Sequence, residues 1–286
     1  MSKKTVLITG CSQGGIGAAL AKTFHSKGYH VFATVRNKSK ADPFLQSDDN
    51  NTKSISILDL EITSPDSIKA CAELVRERTG GSLDILVNNA GMGLCLPLLD
   101  TSIDEAKKVY DLNVWGILAV AQAFTPMLVK AKGVVCNISS VAACFPSAWG
   151  GIYNSSKAAT TLLSETLRLE LSPLGVRVIT AMTGAVNTQF FADRTDLILP
   201  ETSYYQPIRD VIDRENKGLI YTNKQDVDVY AKNLVNDIVS GKSGLVWRGQ
   251  SSSMAWLLSA ILPGRLLAYL VNGDKGLDEL ARANRA

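Results

Sequence analysis

Histidine is nearly missing from this 286-residue chain, with His25 and His30 the only two. The five cysteines, Cys11, Cys71, Cys95, Cys136 and Cys144, are scattered without a C-x-x-C pair. These shortages argue against a metal centre and against a disulfide framework. No basic cluster interrupts the near balance of 30 Lys and Arg against 27 Asp and Glu, so nothing points to a nucleic-acid surface. Only MSKK precedes the first strand-like run, which leaves no room for a cleaved leader and makes a reducing, cytoplasmic location the expectation.

What is present is a rhythm. Short apolar runs, TVLIT (5–9), HVFATV (30–35), ISIL (55–58), DILVN (84–88), GVVCNIS (133–139) and VRVITAM (176–182), alternate with helical stretches at about 15–27, 65–79, 102–130 and 152–171. GLVWRG (244–249) reads as a last strand. Such alternation predicts βαβ units, and runs without in-out periodicity predict a parallel sheet covered by helices on both faces. The rhythm breaks after Gly184. Residues 188–224 are polar, with Pro200, Pro207, Phe190, Phe191, Tyr204, Tyr205 and Tyr221, and read as a lid insertion. In MAWLLSAILPGRLLAYLVNG (254–273), Pro263, Gly264 and Arg265 interrupt an apolar stretch, and a spanning helix would bury the arginine. A helix pair packed on the body or on a partner subunit is expected there, with contact to a lipid surface as the alternative. The chain thus divides into a catalytic part, 1–250, and an apolar C-terminal extension, 251–286.

Three motifs carry chemistry. In TGCSQGGIG (9–17), Gly10, Gly14, Gly15 and Gly17 lie between the first strand and the first helix, where backbone N–H groups and the helix dipole can face a pyrophosphate. NNAG (88–91) follows the fourth strand and would set Asn89, Ala90 and Gly91 beside a ribose. YNSSK puts Tyr153 and Lys157 on one helix face, with Ser140 thirteen positions earlier at a strand end. Taken singly, each has a plainer reading: a tight turn, a polar strand ending, a solvated Tyr/Lys pair.

Together, and in this order with Asn113, they make the chain resemble the short-chain dehydrogenase/reductase family over residues 5 to about 185. The resemblance implies a single-domain, Rossmann-like, doubly wound parallel sheet. It implies that Tyr153 is the general acid/base, its phenol lowered from a pKa of about 10 by Lys157 and the oxidised nicotinamide. Ser140 would hold the carbonyl oxygen, Asn113 would bind a water relaying protons towards Lys157, and Lys157 would also hold the nicotinamide ribose. For the cofactor, Gly10, Ser12, Gly15, Ile16 and Gly17 would cradle the pyrophosphate in a loop one residue longer than the family form, the extra residue lying among Cys11 to Gly14. Asp59 and Leu60 would meet the adenine, although an acid after a strand is also a common turn residue. Val186 and Thr188 would reach the carboxamide, with Thr183 standing where the family usually has proline. The second strand ends in FATVRN without an acid, so Arg36 favours the 2′-phosphate of NADP(H), aided by Thr34 or Asn37; a solvated loop charge is the plainer alternative.

VYDLNVWG, MTGAVNT, LPETSYY and WRGQSSSMAWLL are similar to the fungal and yeast 1-acyldihydroxyacetone-phosphate reductases, a group that blends into hydroxysteroid and retinol dehydrogenases and fungal secondary-metabolite ketoreductases. This implies NADPH-dependent interconversion of a ketone and a secondary alcohol on a lipophilic substrate. Arg194, Arg209 and Arg214 are the lid's candidates for a phosphate headgroup. A homodimer through the helices near 102–130 and 152–172 is expected by the same resemblance. So is contact of the extension with endoplasmic reticulum or lipid-droplet surface. A non-redox NADP-binding protein and a membrane scaffold are the readings from other classes.

Overall fold

The computed structural model describes residues 3–46, 54–192 and 194–285. The apolar runs become seven strands: β1 (Thr5–Ile8), β2 (His30–Val35), β3 (Ile55–Asp59), β4 (Ile85–Asn88), β5 (Val134–Ile138), β6 (Arg177–Thr183) and β7 (Gly244–Arg248). All pair in parallel in the order β3-β2-β1-β4-β5-β6-β7. Val6 lies opposite Val31 on one side and Ile85 on the other, so the order reverses between β1 and β4 and opens a crevice at their carboxyl ends.

Successive strand residues feed opposite cores. Val6 and Ile8 pack with α1 (Ile16–Ser26), α2 (Pro43–Gln46) and α8 (Val227–Val239). Leu7 packs on the other face with α3 (Pro65–Thr79), α5 (Ile117–Ala131) and the end of α6 (Gly151–Leu171). With both faces covered, the strands have no polar side to show, as their composition predicts.

The helical stretch expected over 102–130 is divided. A capping box of Ser102 and Glu105 starts α4 (Ile103–Tyr110), and a π-helical turn, Asp111–Gly116, separates it from α5. The wider turn brings Asn113 to the end of the sheet, where it bonds Met92, a displacement that 3.6-residue periodicity does not encode. Ile103–Ala131 is also the one helical stretch among the described residues long and apolar enough to cross a membrane, but half of its most apolar window is buried inside the protein.

The lid carries a turn at Gln189–Phe191 and the helix α7 (Arg209–Asn216). Pro263 breaks the C-terminal extension into α9 (Ser252–Ile261) and α10 (Gly264–Val271), which α11 (Leu277–Ala283) follows. Lid and extension are fastened to each other and to the loop before α6. Trp149, Leu197, Leu199, Ile208 and Ile212 form a third apolar cluster, against which Leu280 packs. Asn272 accepts from the Ala148 N–H, and the Trp149 indole donates to the Lys275 carbonyl. These bonds hold Trp149 at φ +66°, a conformation that a bulky side chain rarely adopts, directly before the helix that carries Tyr153. Lys275 and Glu215, both buried, pair at 2.5 Å. Burial pushes the Glu215 carboxyl up from its ordinary pKa, and the Lys275 ammonium draws it back.

Removing one partner of such a pair strands a buried charge. Lys275→Met is expected to lower stability by about 3–5 kcal/mol, and adding Glu215→Leu should recover most of the loss, as read from denaturant midpoints. A single-variant loss below about 1 kcal/mol would show that the extension is not fastened there.

Candidate active site

The carboxyl ends of β1 to β6 and the helices α1 and α6 build the crevice. After β1, the Cys11 N–H bonds the Thr34 carbonyl and the Gln13 N–H bonds the Lys40 carbonyl, docking the glycine loop on the chain that follows β2. The loop then turns at Ser12–Gly15, closed by Gly15 N–H to Ser12 O at 3.1 Å, with Gly14 at φ +68° in the position that requires glycine. The added residue is therefore accommodated as a turn. Ser12 is exposed at its start. Gly15 caps α1 without a side-chain bond, and the first turn of that helix holds no acid, so the N–H groups from Ile16 onward face the crevice unneutralised. A Cβ on Gly17 would collide with the Gly10 carbonyl oxygen. An uncapped helix start behind a close-packed glycine turn fits a pyrophosphate.

After β4, the Thr9 hydroxyl accepts from both the Asn89 and Ala90 N–H groups at 2.9 Å. The Asn89 amide donates back to the carbonyls of Thr9 and Gly10. Asn89 thus ties the two loops together through its Nδ2. Gly91 is the point of closest approach, where a Cβ would lie 3.2 Å from Asn113 Oδ1 and 3.5 Å from Lys157 Nζ.

Asn113 is fully buried. Its Oδ1 accepts from the Met92 N–H at 2.9 Å, while Nδ2 donates to the Met92 carbonyl at 2.8 Å and to Ser156 Oγ at 3.0 Å. Its own carbonyl accepts from Thr160. The Asn113 carboxamide thus braces the β4 loop against α6.

On α6, Lys157 is buried and its Nζ donates to the Ile138 carbonyl at 2.9 Å. No carboxylate among the described residues pairs with it, and burial pushes its pKa down to about 8. Its Nζ lies 6.0 Å from the Tyr153 ring centroid. Ser140, at the end of β5, accepts from the Ala142 N–H and hydrogen-bonds Tyr153. The phenol departs from expectation. Burial raises its pKa above the ordinary tyrosine value, and the groups that oppose this are the Ser140 hydroxyl and the charge of Arg194, not Lys157. A phenol held neutral is a proton donor in waiting.

Three of the groups expected on the adenosine side have partners within the fold. Thr34 is buried and donates to the Ile8 carbonyl, so its hydroxyl cannot meet a phosphate. Asn37 Oδ1 accepts from Ser39 and caps the turn Lys38–Lys40, a use of the acceptor that leaves the Nδ2 donors for an anion. The Leu60 N–H, expected at the adenine, donates to the Val35 carbonyl. Arg36 is exposed, 3.7 Å from Glu61, and Asp59 pairs with Lys38 at 2.8 Å. Such exposed pairs are weak and leave both cations available to an anion. Beyond β6, Thr183 bonds the Tyr230 hydroxyl at 2.7 Å in the core. Val186 pairs with Gln225, and Thr188 accepts from the Phe190 N–H.

The family model for short-chain dehydrogenases matches residues 4–197. The chain belongs to the short-chain dehydrogenase family. It is 54% identical to the short-chain dehydrogenase cctT of Talaromyces islandicus, over 97% of each chain. It is 41% identical to the NADPH-dependent 1-acyldihydroxyacetone phosphate reductase of Schizosaccharomyces pombe, over 74% of this chain and 71% of that one. Among solved structures it resembles NADPH-bound carbonyl reductase from chicken fatty liver, with a TM-score of 0.61 and 30% identity, over 66% of this chain and 82% of that one.

Two site residues of this dehydrogenase escaped the sequence reading. Thr9 joins the two loops through a single hydroxyl, and Lys38 joins Arg36 beside the adenosine end. Arg194, read from the sequence as a lid candidate for a phosphate headgroup, lies against Phe190, which neighbours Tyr153. Nothing in the spacing marks Thr9; Lys38, two residues after Arg36, was legible as a second cation.

Lys157 also sets a stability signature. Between about pH 8 and the ordinary lysine value of 10.5, the unfolded chain binds more protons than the folded one, so this residue makes stability rise with pH across that window. Buried cysteines, their pKa values raised from 9.0, contribute with the opposite sign at the upper end. The comparison is therefore the difference between wild type and Lys157→Met, both without cofactor. That difference should grow in favour of wild type from pH 8 to pH 10, and a flat difference would contradict a desolvated amine.

Proposed function

We propose that this dehydrogenase reduces a ketone on a lipophilic substrate, with Tyr153 as the acid. The observation that carries this is the meeting of Ser140, Tyr153 and Lys157 at the sheet's carboxyl end beneath an aromatic wall. The Tyr153 ring lies 6.2 Å from Phe190, Phe190 meets Phe191 edge-on at 5.2 Å, and Phe191 stacks on Tyr221 at 5.5 Å. An apolar wall ending at polar reacting groups suits an apolar body with one carbonyl.

The cofactor is NADP(H), which when bound supplies the hydride that forms the new C–H bond at the carbonyl carbon. The uncapped start of α1 would hold its pyrophosphate, and Arg36 and Lys38 its 2′-phosphate. Ser140 Oγ donates to the carbonyl oxygen and steadies its developing charge. The Tyr153 hydroxyl gives its proton to that oxygen, completing the alcohol. The Ser140 hydroxyl and the Arg194 charge favour the phenolate left behind, and the Lys157 ammonium, fixed by Ile138, would hold the nicotinamide ribose.

An acyldihydroxyacetone phosphate is the ketone suggested by the lid and tail motifs and by the Schizosaccharomyces pombe relative. The higher identity to cctT, whose name specifies no substrate, favours a second reading: another lipophilic ketone, of secondary-metabolite, steroid or retinoid type. Exposed Leu99, Ile103, Trp115 and Leu162 support a homodimer through α4 to α6. Exposed Met254, Trp256, Ile261, Tyr269 and Leu270 support peripheral contact of α9 and α10 with a lipid surface, which would place a cytoplasmic enzyme at endoplasmic reticulum or lipid droplets.

NADPH consumption against acyldihydroxyacetone phosphate, steroid, retinal and polyketide-like ketones tests the reading. Tyr153→Phe should cut kcat about 10²–10⁴-fold on whichever ketone is accepted, while NADPH still binds. An unaltered rate would remove Tyr153 from the acid role, and activity with NADH but not NADPH would remove Arg36 from the phosphate role.

A further inference from the structure

The lid places one cation on the aromatic wall that leads to Tyr153, with no counter-charge among the described residues. Arg194 is half-buried, and its guanidinium carbon lies 6.0 Å from the centroid of the Phe190 ring. The other side of that ring's neighbourhood is Tyr153, at 6.2 Å between centroids. Gly93 forms the floor: a Cβ there would lie 2.7 Å from Arg194 Nη2 and 2.9 Å from Phe190 Cζ, so the guanidinium occupies the space that a side chain would take. Phe190 and Gly93 thus hold the fork in place.

Four other arginines of the fold have partners. Arg168 holds Glu165, Arg248 holds Asp237, Arg177 donates to the carbonyls of Ile238 and Lys242, and Arg209 donates to that of Leu197. For Arg194, no ion pair or side-chain hydrogen bond occurs among the described residues. The groups of opposite tendency that it senses are Cys95 and Tyr153, both neutral at pH 7 because burial raises them. A partly desolvated cation without a counter-charge, held in the lid against Phe190, is complementary to an anion on the ligand.

We propose that Arg194 is a specificity-determining residue that binds an anionic group of the substrate, a phosphate or a carboxylate, lying within a few bonds of the carbonyl reduced at Tyr153. The planar guanidinium would take either oxyanion through two parallel N–H bonds, fixing the carbonyl's approach as well as its selection. This rests on the carbonyl-reductase reading, and its test is made independent of turnover.

The test is equilibrium binding of dodecanoate, dodecyl phosphate and dodecanol to the full-length protein saturated with NADPH, so that the cofactor's own phosphate sites are filled. None of the three is a ketone, so nothing is consumed. Wild type should bind at least one anion about tenfold to a hundredfold more tightly than the alcohol, the range of a charge-assisted hydrogen bond. Which anion wins names the class. Arg194→Gln should erase the preference with an unchanged Tm, and Arg194→Lys should keep part of it. No preference in wild type, or a preference that survives Arg194→Gln, would overturn the proposal. Failure to reduce any ketone would count against the reductase reading alone.

Discussion

A lysine amine loses most of its hydration when Lys157 folds beneath the carboxyl end of the sheet, and the Ile138 carbonyl is the replacement that the protein provides. Burying a cation without a carboxylate is unfavourable, and its pKa falls towards 8 as a result. The surrounding structure makes this position tolerable and fixed. Ser139 and Thr161 both bond the Lys157 carbonyl, and Asn113 holds Ser156, the preceding residue, to the β4 loop. An ammonium so placed is satisfied best when a ribose hydroxyl and a phenolate arrive, which is the composition of a hydride-transfer site.

The sheet delivers these pieces by topology. Because the strand order reverses at β1 and β4, the glycine loop and the NNAG loop stand side by side, and Thr9 and Asn89 stitch them before any ligand is present. Ser140 and the start of α6 come from the next strand along. The lid and extension then close the substrate side through Trp149, Asn272 and the Lys275–Glu215 pair. Loss of the extension would therefore reach the loop that leads into Tyr153, not only a surface.

Much of this was legible in the chain, for identifiable reasons. Strands buried on both faces write themselves as continuous β-branched runs, so all seven were found within a residue or two of their ends. Motif residues held by local backbone geometry, such as Gly10, Gly17 and the Tyr153/Lys157 pair, were equally visible. What escaped was the work of side chains across space. Thr34, Asn37, Leu60, Asn89 and Asn113 carry donors or acceptors that could serve a cofactor, yet each is engaged by another part of the protein. The π-helical turn at Asp111–Gly116 has no periodic signature, and Arg194 was legible as a lid cation but not as the one that Gly93 and Phe190 hold in place.

The central claim is that this site moves a hydride to a carbonyl carbon while Tyr153 protonates the oxygen. NADPH deuterated on the transferring face of its nicotinamide C4, used with an accepted ketone and followed by mass spectrometry of the product alcohol, tests it most directly. The account predicts one deuterium at the carbinol carbon for each NADPH consumed. Consumption of the cofactor with no deuterium at that carbon would contradict it.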